Sequence, residues 1–286
     1  MVELRIHHRT TYRYSQPVGL GPHRLMLRPR ESRDLNLVSS AITVNPDATV
    51  TWANDVAGNA VATVTFGTPS DALVIDSVAR VELSAIAYPV FDIAASAISF
   101  PFQYADDDWT DLGALAVRQY RERDGLQPWA QAFVAGYPTD TLSLLKDINS
   151  GVGGAITYQA REDEGTQSPS QTLSLGMGSC RDLATLFVEA VRCLGFGARV
   201  VSGYLHDPTR TLLGSADAGS THAWAEVYLP GAGWVTFDPT NRSVGGANLI
   251  PVAVARDIRQ AMPVTGSFVG PSNSFQEMTV SVTVDA

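Results

Sequence analysis

The chain has 286 residues, of which 45% are hydrophobic and 17% are charged, so it can bury a sizeable core and is not expected to be disordered. Its 29 acidic and 20 basic side chains give a net charge of −9 with no run of lysine or arginine, which makes nucleic acid and anionic membranes poor partners. Two cysteines, Cys180 and Cys193, are too few for a disulfide-stapled fold and lack the spacing of a zinc or redox pair. We therefore expect no metal and no cofactor.

The first residues, MVELRIHHRTTYRY, are charged and polar where a signal peptide carries an apolar core. No apolar stretch approaches the roughly 18 residues that a membrane-spanning helix needs. The low cysteine content also favours a reducing compartment. The sequence therefore predicts a soluble, cytoplasmic protein.

Short apolar runs that alternate or are rich in β-branched residues recur from residue 2 to about residue 88, with turn formers between them. This pattern predicts an antiparallel β-sandwich-like domain. Between residues 89 and 110 the pattern dissolves around two prolines, which interrupt regular structure. We place the domain boundary there, which gives an amino-terminal β domain of residues 1–105 and a second domain of residues 106–286.

Helical spacing of apolar residues begins after this boundary. An acidic run at residues 106–108 precedes a first predicted helix, and a second helix is predicted over about residues 139–149. The last residues, EMTVSVTVDA, alternate with period two, which predicts a closing strand.

Cys180 stands in the stretch GMGSCRDLA, directly before a third helical pattern. Apolar residues recur on one face of this pattern up to Leu194, and Gly195 follows where a left-handed helix end prefers glycine. A thiolate at a helix amino terminus faces unsatisfied N–H groups and the positive end of the helix dipole, so the charged nucleophile is favoured there. A buried structural thiol is the alternative, and it is what we expect for Cys193 near the other helix end.

A thiol nucleophile also needs a base and a third group that orients the base. His222 opens the predicted strand HAWAEVYLP, and Asp238 ends the next predicted strand, in WVTFDPT. Both residues are equally far from Pro230, so a hairpin centred there would make them a directly opposed pair with Cβ atoms roughly 4.5–5.5 Å apart. Taken singly, the first is as well explained as an edge histidine and the second as the start of a turn.

Three segments, GSCRDLATLFVEAVRCLGFGARVVSGY, STHAWAEVYLPGAGW and FDPTN, together resemble the transglutaminase-like superfamily. That superfamily carries the blocks G-x-C-x-D, A-R-x-V-S-G-Y, H-A-W-x-E-V and D-P-T in this order, so the resemblance is more specific than any single motif. It covers roughly residues 155–245. The stretch LRIHHRTTYRYSQPVGLGPHRLMLRPR is similar to the amino-terminal β domain of many bacterial members.

The resemblance implies a papain-like α+β domain, in which a helix bearing the cysteine packs on an antiparallel sheet bearing the histidine and the aspartate. It implies that Cys180 is the nucleophile, His222 the general base and acid, and Asp238 the orienting carboxylate. For the oxyanion hole, the backbone N–H of Cys180 is one candidate donor, and Tyr158 or Gln171 is the candidate for the other.

Trp224 and Glu226 alternate with His222 on one face of the predicted strand. They are expected to line the cleft or to shield the base from water, with core packing as the alternative. No calcium loop of the D-x-D-x-D-G type is present in the sequence, so the calcium dependence of some relatives is not carried over.

Members of the superfamily crosslink proteins, cleave peptide or isopeptide bonds or hydrolyse amides through a thioester acyl-enzyme. The resemblance therefore implies thiol chemistry on a peptide or protein substrate. We favour a hydrolase, a cysteine protease or amidase, because an amine must compete with about 55 M water for the thioester. A protein-glutamine transglutaminase is the alternative reaction, and a non-catalytic peptide-binding or assembly module is the alternative of another class. The sequence is compatible with a homo-oligomer.

Overall fold

The computed structural model describes residues 1–120, 125–160, 165–206 and 219–286. Antiparallel sheets dominate these ranges and are combined with helices between residues 106 and 193, so the predicted α+β class is confirmed. Within the same ranges no helix combines the length and the apolar character that crossing a membrane requires.

The strands and helices are numbered in chain order. The strands are β1 (Val2–Leu20), β2 (His23–Leu25), β3 (Leu35–Asn45), β4 (Ala48–Asn54), β5 (Ala60–Phe66), β6 (Ser70–Leu83), β7 (Ser99–Phe100), β8 (Thr139–Asp140), β9 (Thr157–Tyr158), β10 (Met177–Gly178), β11 (Ala198–His206), β12 (Gly219–Leu229), β13 (Gly233–Asp238), β14 (Ser243–Val244), β15 (Leu249–Ala255), β16 (Val264–Thr265), β17 (Phe268–Val269) and β18 (Phe275–Asp285). The α-helices are α1 (Asp106–Leu112), α2 (Leu126–Gln131), α3 (Thr141–Ala155), α4 (Pro169–Leu175) and α5 (Cys180–Cys193), with 3-10 turns at Gly113–Ala116 and Ile258–Gln260.

Two antiparallel sheets form the amino-terminal part, as the alternating pattern predicts. In the first sheet β1 lies between β6 and the pair β17 and β18, with β3 beyond β6; the second has the order β16, β2, β5, β4. Alternate apolar residues of both sheets meet in a common interior, among them Leu25, Val64 and Ile75. Each sheet thus buries one face against the other, which is the physical basis of a sandwich.

The carboxy-terminal strands return to this sandwich. β18 pairs with β1 over residues 5–14, and β16 pairs with β2. The predicted closing strand is therefore confirmed, but it joins the amino-terminal sheet, because without it this edge of β1 would carry unpaired backbone groups. Residues 264–285, which the predicted division assigns to the second domain, thus lie with the first; the boundary at residue 105 stays a prediction.

The two predicted helices correspond to α1 and α3, and local contacts decide where each begins or ends. α1 ends at Leu112 because Gly113 has a φ of 45°, which an α-helix does not accommodate, and the chain continues as a 3-10 turn. α3 begins after Asp140, whose side chain accepts the N–H of Ser143 at 2.7 Å, and runs six residues beyond the predicted end at 149. Gly153 lets this last part pack closely, since a Cβ there would lie 2.5 Å from the carbonyl oxygen of Pro239.

The second part of the chain is a five-stranded antiparallel sheet in the order β14, β13, β12, β11, β15, with α5 packed against it. α5 begins at Cys180 as predicted and ends before Gly195, which has the left-handed φ of 91° that the sequence indicates. Phe187 of α5 stacks near Phe237 of β13, with ring centroids 5.3 Å apart. The helix that carries the cysteine is thereby fixed on the sheet that carries the histidine and the aspartate.

The two parts share one apolar core and several buried polar contacts. Leu4 and Ile6 of β1 belong to the same buried cluster as Phe187 of α5. Nδ1 of His8 lies 3.0 Å from the hydroxyl of Tyr204 on β11. The side chain of Asn59 exchanges two hydrogen bonds of 2.8 Å with the backbone of Val254 on β15. Because such buried polar groups need their partners, these contacts hold the sandwich in one orientation on the second sheet.

Candidate functional site

Cys180 is the first residue of α5, and a buried carboxylate holds the turn in front of it. Oδ2 of Asp182 accepts hydrogen bonds from the N–H and the hydroxyl of Ser179, both at 2.8 Å, and Oδ1 accepts the N–H of Gln167 at 2.7 Å. Asp182 is 0% exposed. A carboxylate in this position caps the first turn and complements the helix dipole, so it fixes where the cysteine stands.

Two short parallel strands lead to the cysteine. β9 pairs with β10, which places Tyr158 beside Gly178, and the N–H of Gln159 donates to the carbonyl of Gly178 at 2.9 Å. A Cβ at Gly178 would lie 2.9 Å from the Cβ of Asp182. Glycine is therefore required for the chain to pass the capping carboxylate and enter the helix.

His222 and Asp238 meet, but not in the predicted register. The β12–β13 hairpin is centred on Gly231, one residue beyond the predicted centre. Gly231 has a φ of 84°, which a tight loop needs and which glycine adopts without strain. In this register Asp238 stands across from Trp224, two residues from His222. The prediction of a directly opposed pair is wrong, and the two side chains meet diagonally on one face of the sheet.

The imidazole of His222 joins the other two side chains. Its Nε2 lies 2.8 Å from Oδ2 of Asp238, and the side chain of Cys180 lies close enough to the ring to raise the pKa of His222. Since Nε2 serves the carboxylate, Nδ1 is the nitrogen left for the sulfur. The structure thus brings together Cys180, His222 and Asp238.

The electrostatics of this group favour a protonated imidazole. Burial by itself lowers the pKa of His222, which is 6% exposed, but the hydrogen bonds to Asp238 and Cys180 and their negative charges raise that pKa to about 10. For Asp238, 1% exposed, burial opposes ionisation, but the hydrogen bond and the charge of His222 lower its pKa. The favoured state of the pair near neutral pH is therefore a carboxylate on Asp238 and an imidazolium on His222.

Asn241 belongs to this site, although the sequence reasoning did not select it. Its Nδ2 donates to Oδ2 of Asp238 at 2.7 Å, and the N–H groups of Thr240 and Asn241 donate to Oδ1 at 3.1 and 3.3 Å. The segment FDPTN is the sequence signal that could have indicated this role, because an aspartate that opens a turn often binds the backbone two residues further along the chain. These bonds hold the carboxylate in the orientation that His222 needs.

Trp224 and Glu226 have different surroundings. The Trp224 ring lies stacked near His222, with centroids 6.0 Å apart and planes at 28°, and it is 1% exposed. It therefore covers one face of the imidazole. Glu226 instead accepts a hydrogen bond from Nε of Arg199 at 2.6 Å, four residues and about 13 Å along the strand from His222. This placement gives no support to the predicted cleft role of Glu226.

The two predicted oxyanion donors are also placed differently. Tyr158 is 53% exposed on β9, beside the approach to the cysteine. Gln171 lies in α4, where its Oε1 accepts the N–H of Ser168 at 2.9 Å in a capping box, so its side chain is used at that helix end. The backbone N–H of Cys180 lies in the first turn of α5, where an N–H has no acceptor within the helix.

Gly203 of β11 is the direct cross-strand partner of His222 of β12, at a point with no room for a side chain. A Cβ there would lie 2.1 Å from the carbonyl oxygen of Ile250 and 2.7 Å from Cη2 of Trp224. We expect Gly203→Ala to push Trp224 against His222, to lower the free energy of unfolding by about 1–3 kcal/mol and to slow any reaction at the cysteine. Urea unfolding measures the first effect and turnover of a peptide amide the second.

Gly154→Ala is the matched control for this substitution. Gly154 lies in α3, and nothing lies within 4 Å of a Cβ built on it. Alanine is favoured over glycine inside a helix by roughly 0.5–1 kcal/mol, so this variant should be neutral or slightly more stable. A Gly203→Ala protein as stable as Gly154→Ala would contradict the steric argument.

Cys193 ends α5, thirteen residues and about 20 Å along the helix from Cys180. Neither cysteine forms a disulfide, and Cys193 packs, partly buried, against the apolar core. The chain thus carries an internal control thiol that cannot reach His222.

Comparisons with known proteins agree with this geometry in family and in fold. Residues 127–239 match the transglutaminase-like superfamily, and residues 4–82 match the bacterial transglutaminase-like N-terminal region. An uncharacterized protein of Mycobacterium bovis is 28% identical over 297 residues, covering 97% of this chain and 91% of its own length. One of Mycobacterium leprae is 26% identical over 293 residues, covering 99% of each.

Among solved structures, a candidate cysteine protease of Cytophaga hutchinsonii superimposes with a TM-score of 0.75 at 20% identity, covering 99% of this chain and 90% of its own. At that identity the likeness shows a common fold. Both family matches occur in one chain, in the order that the two parts of the structure follow. The chain belongs to the transglutaminase-like superfamily and carries the N-terminal region of its bacterial members.

Proposed function

We propose that this protein is a thiol-dependent enzyme that cleaves a peptide or isopeptide amide through an acyl-enzyme on Cys180. The observation that carries the proposal is the single imidazole of His222, which is hydrogen-bonded to Asp238 and has the side chain of Cys180 beside it. Nucleophilic catalysis requires a nucleophile, a base beside it and a third group that orients the base, and the three side chains are arranged in this order.

The reaction begins with attack of the Cys180 thiolate on the amide carbon, which forms the carbon–sulfur bond and moves the carbonyl electrons onto oxygen. The backbone N–H of Cys180 would donate to that oxyanion, with Tyr158 as the candidate second donor. Collapse of the intermediate breaks the carbon–nitrogen bond, and His222 gives its proton to the leaving nitrogen. The products of this half-reaction are a free amine and a thioester.

In the second half-reaction the neutral His222 takes a proton from water while the water oxygen attacks the thioester. The carbon–sulfur bond then breaks and releases a carboxylic acid, and the thiolate and imidazolium return. Asp238 and Asn241 act by holding the ring, and Trp224 by covering one of its faces. If an amine takes the place of water, the product is a new amide, which is the transglutaminase reaction.

We favour water over an amine as the second substrate. Water is present at about 55 M, so an amine wins only if the enzyme binds it beside the thioester and keeps water out. Incubation of the protein with a peptide library and a labelled amine separates the two reactions. Free carboxylate products support the hydrolase, whereas stable incorporation of the amine would contradict it and support acyl transfer.

The thiol assignment is tested by alkylation. Iodoacetamide near neutral pH should modify Cys180 much faster than Cys193, because the reactive species is the thiolate and only Cys180 has a helix amino terminus and an imidazolium beside it. Peptide mapping by mass spectrometry measures both rates in one sample. Equally slow modification of both thiols would contradict the catalytic proposal and favour the non-catalytic peptide-binding module.

The proposal includes the setting in which the enzyme works. We infer a peptide or protein substrate, in line with the amide chemistry above, and a cytoplasmic location, in line with two cysteines that form no disulfide. Fractionation of cells that express the tagged protein tests the location, since recovery in an extracytoplasmic fraction would contradict it.

A further inference from the structure

A groove lies beside residues 87–91, and none of the chemical steps proposed above takes place in it. It consists of two adjoining cavities of about 460 and 480 Å³, a size that holds small ligands. The first cavity reaches Asp238, and the second lies against α3. We call the two together the linker groove; the residues common to both are Ala87, Tyr88, Ser243 and Val244.

The α3 end of the linker groove is positively charged. Lys146 and Arg242 line the second cavity, and among its described lining residues none is acidic. Lys146 is the only lysine in a chain of net charge −9. The guanidinium of Arg242 donates to the carbonyl of Gly153, which holds the side chain along the helix. Two cations in a cavity lining that contains no carboxylate favour an anionic group there.

The same end of the groove presents a buried acceptor. Asn149 lies one helical turn from Lys146, so both side chains project from one face of α3. Asn149 is 1% exposed and lines the second cavity, and its Nδ2 donates to the carbonyl of Ser243 at 3.2 Å. Its Oδ1 is buried and has no hydrogen-bond partner among the described residues. A buried acceptor without a donor is costly, so a ligand N–H would be favoured there.

The opposite wall of the linker groove is apolar. Tyr88, 92% exposed, forms the rim, and Pro89, Phe91 and Val244 continue the wall. An exposed aromatic ring beside other apolar groups is a surface on which an apolar side chain can lose contact with water.

We propose that the linker groove binds the carboxy-terminal residue of a peptide. Its α-carboxylate pairs with Lys146 and Arg242, the N–H of its last peptide bond donates to Oδ1 of Asn149, and an apolar side chain packs against Tyr88. Together, these groups match a ligand in which one carbon atom separates a carboxylate from an N–H group. This is a binding site, and it goes beyond the proposed reaction because it does not involve the thiol.

The test uses the full chain with Cys180→Ala, which binds peptides without turning them over. Because Lys146 is the only lysine, reductive ¹³C-methylation labels it and the amino terminus alone, and methylation keeps the charge. N-acetyl-Ala-Ala-Phe with a free carboxylate should shift the Lys146 signal saturably. The same peptide as a carboxamide, or with its last N–H methylated, should bind about tenfold more weakly or worse.

Calorimetry with unlabelled variants completes the test. Lys146 is exposed, so Lys146→Gln should fold normally and lose about tenfold in affinity for the acid, while Lys146→Arg should retain it. Arg33→Gln, at an exposed cation that lines neither cavity, should leave the affinity unchanged. Three results would each overturn the proposal. They are equal affinity for the acid and the carboxamide, undiminished binding by Lys146→Gln, and the absence of saturable binding. Absence of amide turnover in the wild-type protein would bear only on the proposed function.

Discussion

Replacement of Cys180 by alanine is expected to reduce amide turnover by about four orders of magnitude or more. Without the sulfur no thioester forms, and only the oxyanion donors and substrate binding still favour the reaction. Because Cys180 and His222 act as one unit, the double variant Cys180→Ala with His222→Ala should be little slower than either single variant. The measurement is kcat/KM on a chromogenic peptide amide.

Cys193→Ala is the control for this loss, and it should retain turnover close to that of the wild type. Cys180 is partly buried at the first position of α5, so the loss of its one sulfur atom should change the free energy of unfolding only modestly. A Cys180→Ala protein that keeps a tenth of the wild-type kcat/KM would show that the chemistry takes place elsewhere.

Replacement of Asp238 by asparagine is expected to lower kcat/KM by about two to four orders of magnitude. The amide keeps the size of the side chain but removes the negative charge that stabilises the imidazolium. The pKa of His222, raised to about 10 in the wild type, should therefore fall. Since His222 must be protonated while the thiolate attacks, the alkaline limb of the pH–rate profile should move to lower pH in the variant.

The same shift has a consequence for stability. The folded-state pKa of His222 lies above its ordinary value of 6.5, so the stabilisation is fully present below pH 6.5 and is lost as the pH rises toward about 10. The lowered pKa of Asp238 acts in the opposite sense, since its contribution is lost as the pH falls below the ordinary value of 3.8. Urea unfolding between pH 6.5 and 10 should show this slope in the wild type and a weaker slope in Asp238→Asn.

Asp76→Asn provides a matched control, because Asp76 also pairs with a histidine, His7, at 2.5 Å but lies outside the site. This variant should leave the pH–rate profile unchanged. An alkaline limb that stays in place in Asp238→Asn would contradict the assignment of Asp238 as the group that holds His222 protonated.

The elements around the cysteine could be predicted from local sequence, because their signals act within a few residues. The apolar face of α5, its start at Cys180 and its end at Gly195 follow from helical periodicity and from glycine at a left-handed position. The tight turn before β13 follows from its glycines. Such features depend on the conformational preferences of neighbouring residues and change little with the rest of the chain.

The register of the β12–β13 hairpin could not be predicted with the same certainty. A shift of its centre by one residue, to Gly231, replaces the directly opposed pair by a diagonal one. His222 still reaches Asp238 because residues two apart on a strand share a face. Local pattern thus predicts which face a side chain occupies, whereas the loop geometry decides its partner.

Contacts between distant segments lay beyond sequence reasoning altogether. Asp182 binds Gln167, Gly203 makes room for Trp224, and β18 joins β1 from the far end of the chain. Each depends on which surfaces remain unpaired after the rest of the chain has folded, and a linear pattern does not contain that information.

By itself, the sequence determined the α+β class, the helix that begins at Cys180, and the selection of His222 and Asp238 as its candidate partners, because periodicity, capping and motif order are local properties. The tertiary structure alone decided that one imidazole lies beside both the side chain of Cys180 and the carboxylate of Asp238, that Glu226 and Gln171 serve other contacts, and that the only lysine borders a groove beside a buried amide. The physical reason is that hydrogen bonds and cavities arise where segments far apart in the chain pack together, and their geometry is set by that packing.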